Sequence, residues 1–165
     1  MSSVRSSKKS PSVTAPADTA APASEPVDTG FLRTLVGYNT RRAALSIIAV
    51  FMERMAVYDL KVVDFSVLSL VAHNPGITSR QLCATLSVLP PNMVGLIAAL
   101  ERRGLIERRP HPSDGRAMGV HLTPAGVELT AQAEQTAAQL EEDATHRLTA
   151  AERKTLIRLL QKVYD

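Results

Sequence analysis

The sequence predicts a mainly α fold that carries one small β ribbon. After residue 30, apolar side chains recur at spacings of three and four through most of the chain, the pattern of amphipathic helices. One run, residues 100–126, departs from that period and alternates apolar and polar residues on either side of a polar, turn-rich centre. Composition agrees: with three Phe, three Tyr and no Trp among 165 residues, aliphatic side chains must do the packing.

Residues 1–30 are mostly Ser, Ala, Pro and Thr with scattered charge, and beyond the initial Met1 only Val4, Val13 and Val27 are large and apolar. Such a segment cannot bury a core and is expected to be a disordered tail. Arg5, Lys8 and Lys9 precede Asp18, Glu25 and Asp28, and no apolar centre marks a secretory signal. Residues 31–58 are predicted as one helix, roughly 40 Å long at the α-helical rise. Phe31, Leu35, Tyr38, Leu45, Ile48, Met52 and Met55 form its stripe, and Leu32, Val36, Ile47, Val50 and Phe51 widen it beyond one face. That is more apolar surface than a small domain covers, so a second face is expected to pack on another subunit.

A second helix is predicted over 62–73, with Val63, Val67, Leu70 and Val71 inward and no Ser or Thr cap at its start; Asn74-Pro75-Gly76 breaks it. Ile77 is placed as a short strand. Thr78 and Gln81 form a capping box, opening a helix with Leu82, Cys83 and Leu86 that ends near Ser87. After the turn Ser87-Val88-Leu89, Pro90 and Pro91 fit only the first turn of a further helix. It runs over 92–103, with Met93, Leu96, Ile97 and Leu100 on its core face. Helix, short turn, helix is a helix-turn-helix, whose second member enters the major groove of DNA.

Gly104 suits the positive φ that closes a helix, and Arg102 and Arg103 complement its carbonyl end. Residues 105–109 read as a short strand that Pro110, His111, Pro112, Ser113, Asp114 and Gly115 cannot continue, Asp-Gly being a tight-turn signal. Val120 and Leu122 alternate with His121 and Thr123 as a second strand. Thr123-Pro124 then caps and opens a helix. A ribbon with Arg116 just past its tip, following a groove-binding helix, has the shape of a winged helix.

The run resembles the signature of the MarR family of transcriptional regulators: Leu100 and Gly104, then Asp114 and Arg116, then Val120, Leu122, Thr123 and Gly126. The resemblance covers 31–165 and implies a winged helix-turn-helix domain, with 61–123 as the DNA-binding core and wing and with 31–58 and 124–165 as dimerisation helices. In 124–147 a thin stripe is marked by Val127, Leu129, Ala133, Ala137 and Leu140. A second capping box, Thr149 with Glu152, opens a last helix through Leu156, Leu159, Leu160 and Val163. The resemblance further implies a homodimer on a pseudo-palindromic operator and a repressor released by a small aromatic or phenolic ligand. Tyr38, Arg41 and Arg42 are candidates to hold that ligand's hydroxyl or carboxylate.

For DNA, Arg116 is the foremost candidate, a guanidinium placed to enter a narrow minor groove, with Asp114 fixing its fork. Aligned on Leu100 and Gly104, the reading helix offers Pro91, Asn92, Val94 and Gly95. Asn92 alone among them can hydrogen-bond a base edge, and Pro91 and Val94 can meet thymine methyls. Phosphate contacts are expected from Thr78, Ser79 and Arg80 and from Arg108 or Arg109. Two other readings stay open: a ligand-independent architectural DNA binder, and a winged-helix protein-interaction module.

A net charge of +3 does not by itself identify a nucleic-acid binder. One cysteine, Cys83, excludes an internal disulfide, suits the cytoplasm, and is expected to be a buried structural residue. His73, His111, His121 and His146 lack metal-ligand spacing. No glycine-rich phosphate loop, nucleophile elbow or Cys–His pairing points to an enzyme or a cofactor.

Overall fold

The structure, a computed structural model, describes residues 27–111 and 114–164, so residues 1–26 of the expected tail lie outside the described residues. In chain order the elements are α1 (Gly30–Arg33), α2 (Val36–Met55), a 3₁₀ turn (Ala56–Tyr58), α3 (Val62–His73), β1 (Ile77–Thr78), α4 (Ser79–Leu86), α5 (Pro90–Arg102), β2 (Ile106–His111), β3 (Asp114–Leu122), α6 (Pro124–Ala144) and α7 (Ala150–Tyr164). The strands make one antiparallel sheet in the order β1-β3-β2, with Ile77 opposite Val120 and Ile106 opposite Leu122. The fold is mainly α with a small β wing, as predicted.

The first helix departs from expectation: it is broken. Leu35 is extended, at φ −92° and ψ 128°. The Thr34 hydroxyl donates to the Phe31 carbonyl at 2.7 Å, and the Asn39 amide donates to the Arg33 and Leu35 carbonyls at 2.8 Å each. These side chains take carbonyls that a continuous helix would bond with backbone amides. The apolar stripe is also redistributed. Of the seven residues that define it, only Met55 is buried; the core face runs through Phe51 and Met55, with Val50 and Tyr58 packed against them. Leu45, Ile48 and Met52 stay exposed on the other side.

The core joins α2, α3, the helix-turn-helix and the sheet through Leu60, Val67, Leu68, Val71, Leu82, Met93, Ile97, Leu100, Ile106 and Val120. At α3 the missing Ser or Thr cap is replaced from within: the Asp64 carboxylate accepts the Lys61 amide at 3.1 Å. Cys83 is half-buried against this core rather than fully enclosed.

The ribbon is longer than predicted. β2 continues through Pro110, opposite Met118, and His111 pairs with Asp114, so Asp114-Gly115 lies inside β3 instead of forming the turn. Proline is tolerated because β2 is an edge strand, and the register slips between Pro110 and His111. Pro112 and Ser113 lie outside the described residues.

A compact joint fastens the wing to α6. Gly104 has φ +69°, and its carbonyl accepts the Thr123 hydroxyl at 2.6 Å. The same hydroxyl caps α6 by accepting the Gly126 amide at 3.0 Å. A Cβ on Gly126 would stand 1.9 Å from the Leu105 carbonyl oxygen, so the backbones meet only because residue 126 has no side chain. This ties together three of the motif positions picked out in the sequence.

α6 lies along α2 and α3 and ends at Ala144, earlier than expected. Ala133 and Leu140 of its stripe are buried, but Val127 is 56% exposed. Arg54 of α2 pairs with Asp143 at 2.8 Å, and Ser69 and His73 of α3 both meet Glu134, at 2.7 and 3.0 Å. The α7 capping box forms as read: the Thr149 amide and hydroxyl both donate to Glu152 at 2.8 Å. Those bonds hold the Glu152 carboxyl below its usual range. Their benefit is therefore present above the unfolded pKa and fades as pH falls through the folded one.

Candidate nucleic-acid interface

The chain bends by 115° between α4 and α5, within the range of helix-turn-helix motifs. Ser87 sits at the corner in the left-handed region, φ 52°, where its amide and that of Val88 both reach the Cys83 carbonyl. Pro90 and Pro91 occupy the first turn of α5, where no amide is needed. Met93, Ile97 and Leu100 are buried against the core, which turns the other side of α5 outward. Pro91, Asn92, Val94 and Gly95 are all exposed on that side, and a Cβ on Gly95 would meet nothing within 4 Å. The four candidate reading residues therefore share one open face. Leu89, 69% exposed at the end of the turn, joins them. Sequence reasoning missed it, although an apolar residue in a turn directly before Pro-Pro is a usable signal.

At the start of α4, Arg80 is exposed and makes no ion pair among the described residues. Thr78 is already engaged: its hydroxyl accepts the Gln81 amide at 3.3 Å and donates to the Gln81 side chain at 2.8 Å. Ser79 is half-buried. On β2, Arg108 is held by Glu101 of α5 at 2.8 Å, and Arg109 by Glu107. Both arginines remain at the surface, where such pairs are weak and can exchange for phosphate. Asp114 and Arg116 fall within β3, and their side chains lie outside the described residues.

Arg103 does something the sequence did not disclose. While still partly exposed at the end of α5, its guanidinium donates to the Asp59 carbonyl at 2.7 Å and the Tyr58 carbonyl at 2.8 Å.

The ligand candidates stand apart from this region. Tyr38 is half-buried and, with Arg42, lines a groove of about 760 Å³ shared with Val27, Thr29, Arg33 and Asn39. Arg41 is exposed and does not line it, and no residue of 61–123 borders it.

A three-stranded wing beside a helix-turn-helix, carried on long flanking helices, is the build of a winged helix-turn-helix transcriptional regulator. The chain belongs to the MarR family, whose family model matches residues 58–117. A Thauera aromatica protein named for regulation of the hcr operon is 37% identical over 100 residues, 61% of this chain and 60% of that relative, so the match spans under two thirds of the relative's length. The multiple antibiotic resistance protein MarR of Salmonella typhimurium is 36% identical over 106 residues, 64% of this chain and 74% of the relative. Among solved structures, the transcriptional repressor CouR bound to a 23-mer DNA duplex is 34% identical with a TM-score of 0.79, covering 85% of this chain and 99% of that one. Rv2887 of Mycobacterium tuberculosis, in complex with salicylic acid, is 26% identical with a TM-score of 0.64, covering 78% and 96%. Bordetella bronchiseptica BpsR, whose DNA binding is described as regulated by 6-hydroxynicotinic acid, is 26% identical with a TM-score of 0.74, covering 85% and 98%. These relatives are regulators, not enzymes. No single helix among the described residues is long and apolar enough to cross a membrane.

Proposed function

We propose that this protein is a cytoplasmic, sequence-specific DNA-binding regulator that acts as a homodimer on a pseudo-palindromic operator. In this reading it is a repressor released by a small aromatic or phenolic anion. The observation that carries the DNA-binding role is the open face of α5, with Pro91, Asn92, Val94 and Gly95 outward beside the wing and every large apolar residue but Val94 turned inward. The likeness to DNA-bound CouR supports it. Support for the dimer comes from α7, which buries none of its own residues, and from α2, whose second apolar face, through Leu45, Ile48 and Met52, stays 41–45% exposed among the described residues. The salicylic acid complex of Rv2887 and the hydroxynicotinic acid response of BpsR support the effector class. A phenolic carboxylate also suits the Tyr38 hydroxyl and the guanidinium groups of Arg42 and, nearby in the chain, Arg41.

The test is selection of genomic fragments by the purified protein at physiological salt, followed by affinity measurements on the winning site. Arg80→Ala is expected to weaken binding to all sequences alike and to reduce the slope of log affinity against log salt by about one. Arg116→Ala is expected to do the same while also reducing the preference for the selected site. Asn92→Ala should relax specificity at one base pair, at about 1–3 kcal/mol. Salicylate or a related acid should lower affinity for the site. Selection of no fragment sinks the reading. Salt-dependent binding without sequence preference or response to aromatic acids favours an architectural protein, and no DNA retention at all favours a protein-interaction module.

A further inference from the structure

The segment between α2 and α3 connects the long helix α2 to the lobe that holds the helix-turn-helix, and it is held from two sides. The chain leaves the 3₁₀ turn Ala56–Tyr58 through Asp59, whose φ of 50° is uncommon for a residue with a side chain. The carbonyls of Tyr58 and Asp59 lie past the end of a helix, where no following turn supplies donors. Arg103, at the far end of α5, fills that gap by donating to both, at 2.8 and 2.7 Å. On its other side the segment is fixed to α6: the Tyr58 phenol lies 2.9 Å from the Thr136 hydroxyl and 3.4 Å from the Gln132 carbonyl. One short segment is thus bolted to the reading helix through Arg103 and to a dimerisation helix through Tyr58.

We infer that the Arg103–Tyr58 link is a strut that sets the orientation of α5 relative to α6, so that Arg103 is a positioning residue for half-site spacing rather than a DNA contact. This rests on the proposed reading of the protein as a dimeric DNA binder. The chemistry favours arginine specifically. Its fork presents paired N–H groups in one plane and can hold two adjacent carbonyls at once, whereas a lysine ammonium is a single flexible point. Arg102, one residue earlier, is exposed and provides a charge-matched comparison. A strut of this kind changes what the two reading helices can reach together, not what either can do alone. Its loss therefore shows in duplexes with two half-sites and not in single ones.

The experiment uses the full chain and the selected duplex, with one or two base pairs inserted or deleted between half-sites, alongside a duplex holding one half-site. The unaltered protein is expected to prefer the native spacing by about tenfold or more. In Arg103→Ala that preference should fall below about threefold, with affinity for the single half-site changed by less than about threefold. Tyr58→Phe should act in the same direction, and the double variant should be no worse than Arg103→Ala. Arg102→Ala should weaken all duplexes equally and keep the spacing profile. A second readout needs no DNA: pulsed electron paramagnetic resonance between nitroxides on Val94→Cys in a Cys83→Ser background should give a distance distribution at least twice as broad when Arg103→Ala is added. If Arg103→Ala does not fold, Arg103→Lys and Tyr58→Phe carry both measurements. An unchanged spacing profile with an unchanged distance distribution in a folded dimer overturns the strut. So does an equal loss on single and paired half-sites, which would make Arg103 a phosphate contact. If the unaltered protein selects no duplex, the DNA-binding reading fails first; broadened distances would then show the strut surviving without it, and unchanged distances would remove both.

Discussion

Replacing Gly126 by alanine is expected to be the most damaging single-methyl change in the described chain. The added Cβ would stand 1.9 Å from the Leu105 carbonyl oxygen and 2.9 Å from its carbon. Neither is the end of a flexible side chain, so either α6 must lift from the wing or the Gly104–Leu105 backbone must move. Moving it breaks the bonds from the Thr123 hydroxyl to the Gly104 carbonyl and from the Gly126 amide to the Thr123 hydroxyl. Overpacking against backbone with loss of a cap is expected to cost about 3 kcal/mol or more. For a domain of this size that is about 10 °C in the melting temperature. Gly95→Ala is the control: its Cβ meets nothing, and removing a glycine from a helix interior should add roughly 0.5–1 kcal/mol. Calorimetry of the two variants reads the contrast. Equal melting temperatures would mean the joint is not the rigid contact described.

The second large effect is expected from Leu159→Glu. Leu159 is 49% exposed and lines an apolar groove of about 640 Å³ between α2 and α7, with Val36, Ala43, Ile47, Leu156 and Val163 among its other walls. In one isolated chain a half-exposed glutamate costs little. In a dimer that closes this groove, the carboxylate is forced into an apolar contact and association is lost. Each reading head then binds its half-site alone, and affinity for the paired site should fall by about 100-fold or more, the avidity that linkage supplied. Sedimentation should show a folded monomer with an unchanged circular dichroism spectrum. A variant that stays dimeric with full affinity would place the interface elsewhere.

The regions best read from sequence were those where local chemistry alone decides. Pro90 and Pro91 can only open a helix, Thr78 with Gln81 and Thr149 with Glu152 are self-contained caps, and Asn74-Pro75-Gly76 can only end one. The spacing from Leu100 to Gly126 proved to be a physical joint, because Gly104, Thr123 and Gly126 all touch one backbone crossing. What sequence missed depended on partners distant along the chain. The break at Leu35 is made by Asn39 reaching back to two carbonyls, a choice periodicity cannot see. Asp114-Gly115 carries a turn signal, yet pairing with His111 draws it into β3. The apolar surplus of α2 was legible, but which face meets the core was not, since Phe51 rather than Ile48 or Met52 finds the α3 side. Of the candidate interface, the exposure of Pro91, Asn92, Val94 and Gly95 followed from the burial of Met93 and Ile97. The engagement of Arg108 by Glu101, and of Arg103 by the Tyr58 and Asp59 carbonyls, spans elements that only the fold brings together.

Hydroxyl-radical footprinting of the selected fragment, with sedimentation of the same complex, tests most directly that two copies of this chain read DNA together. The expected result is two protected patches related by a dyad on one face of the duplex, their centres about one helical turn or roughly 34 Å apart, with two chains per duplex. A single unpaired patch, or a complex with one chain per duplex at full affinity, would contradict it.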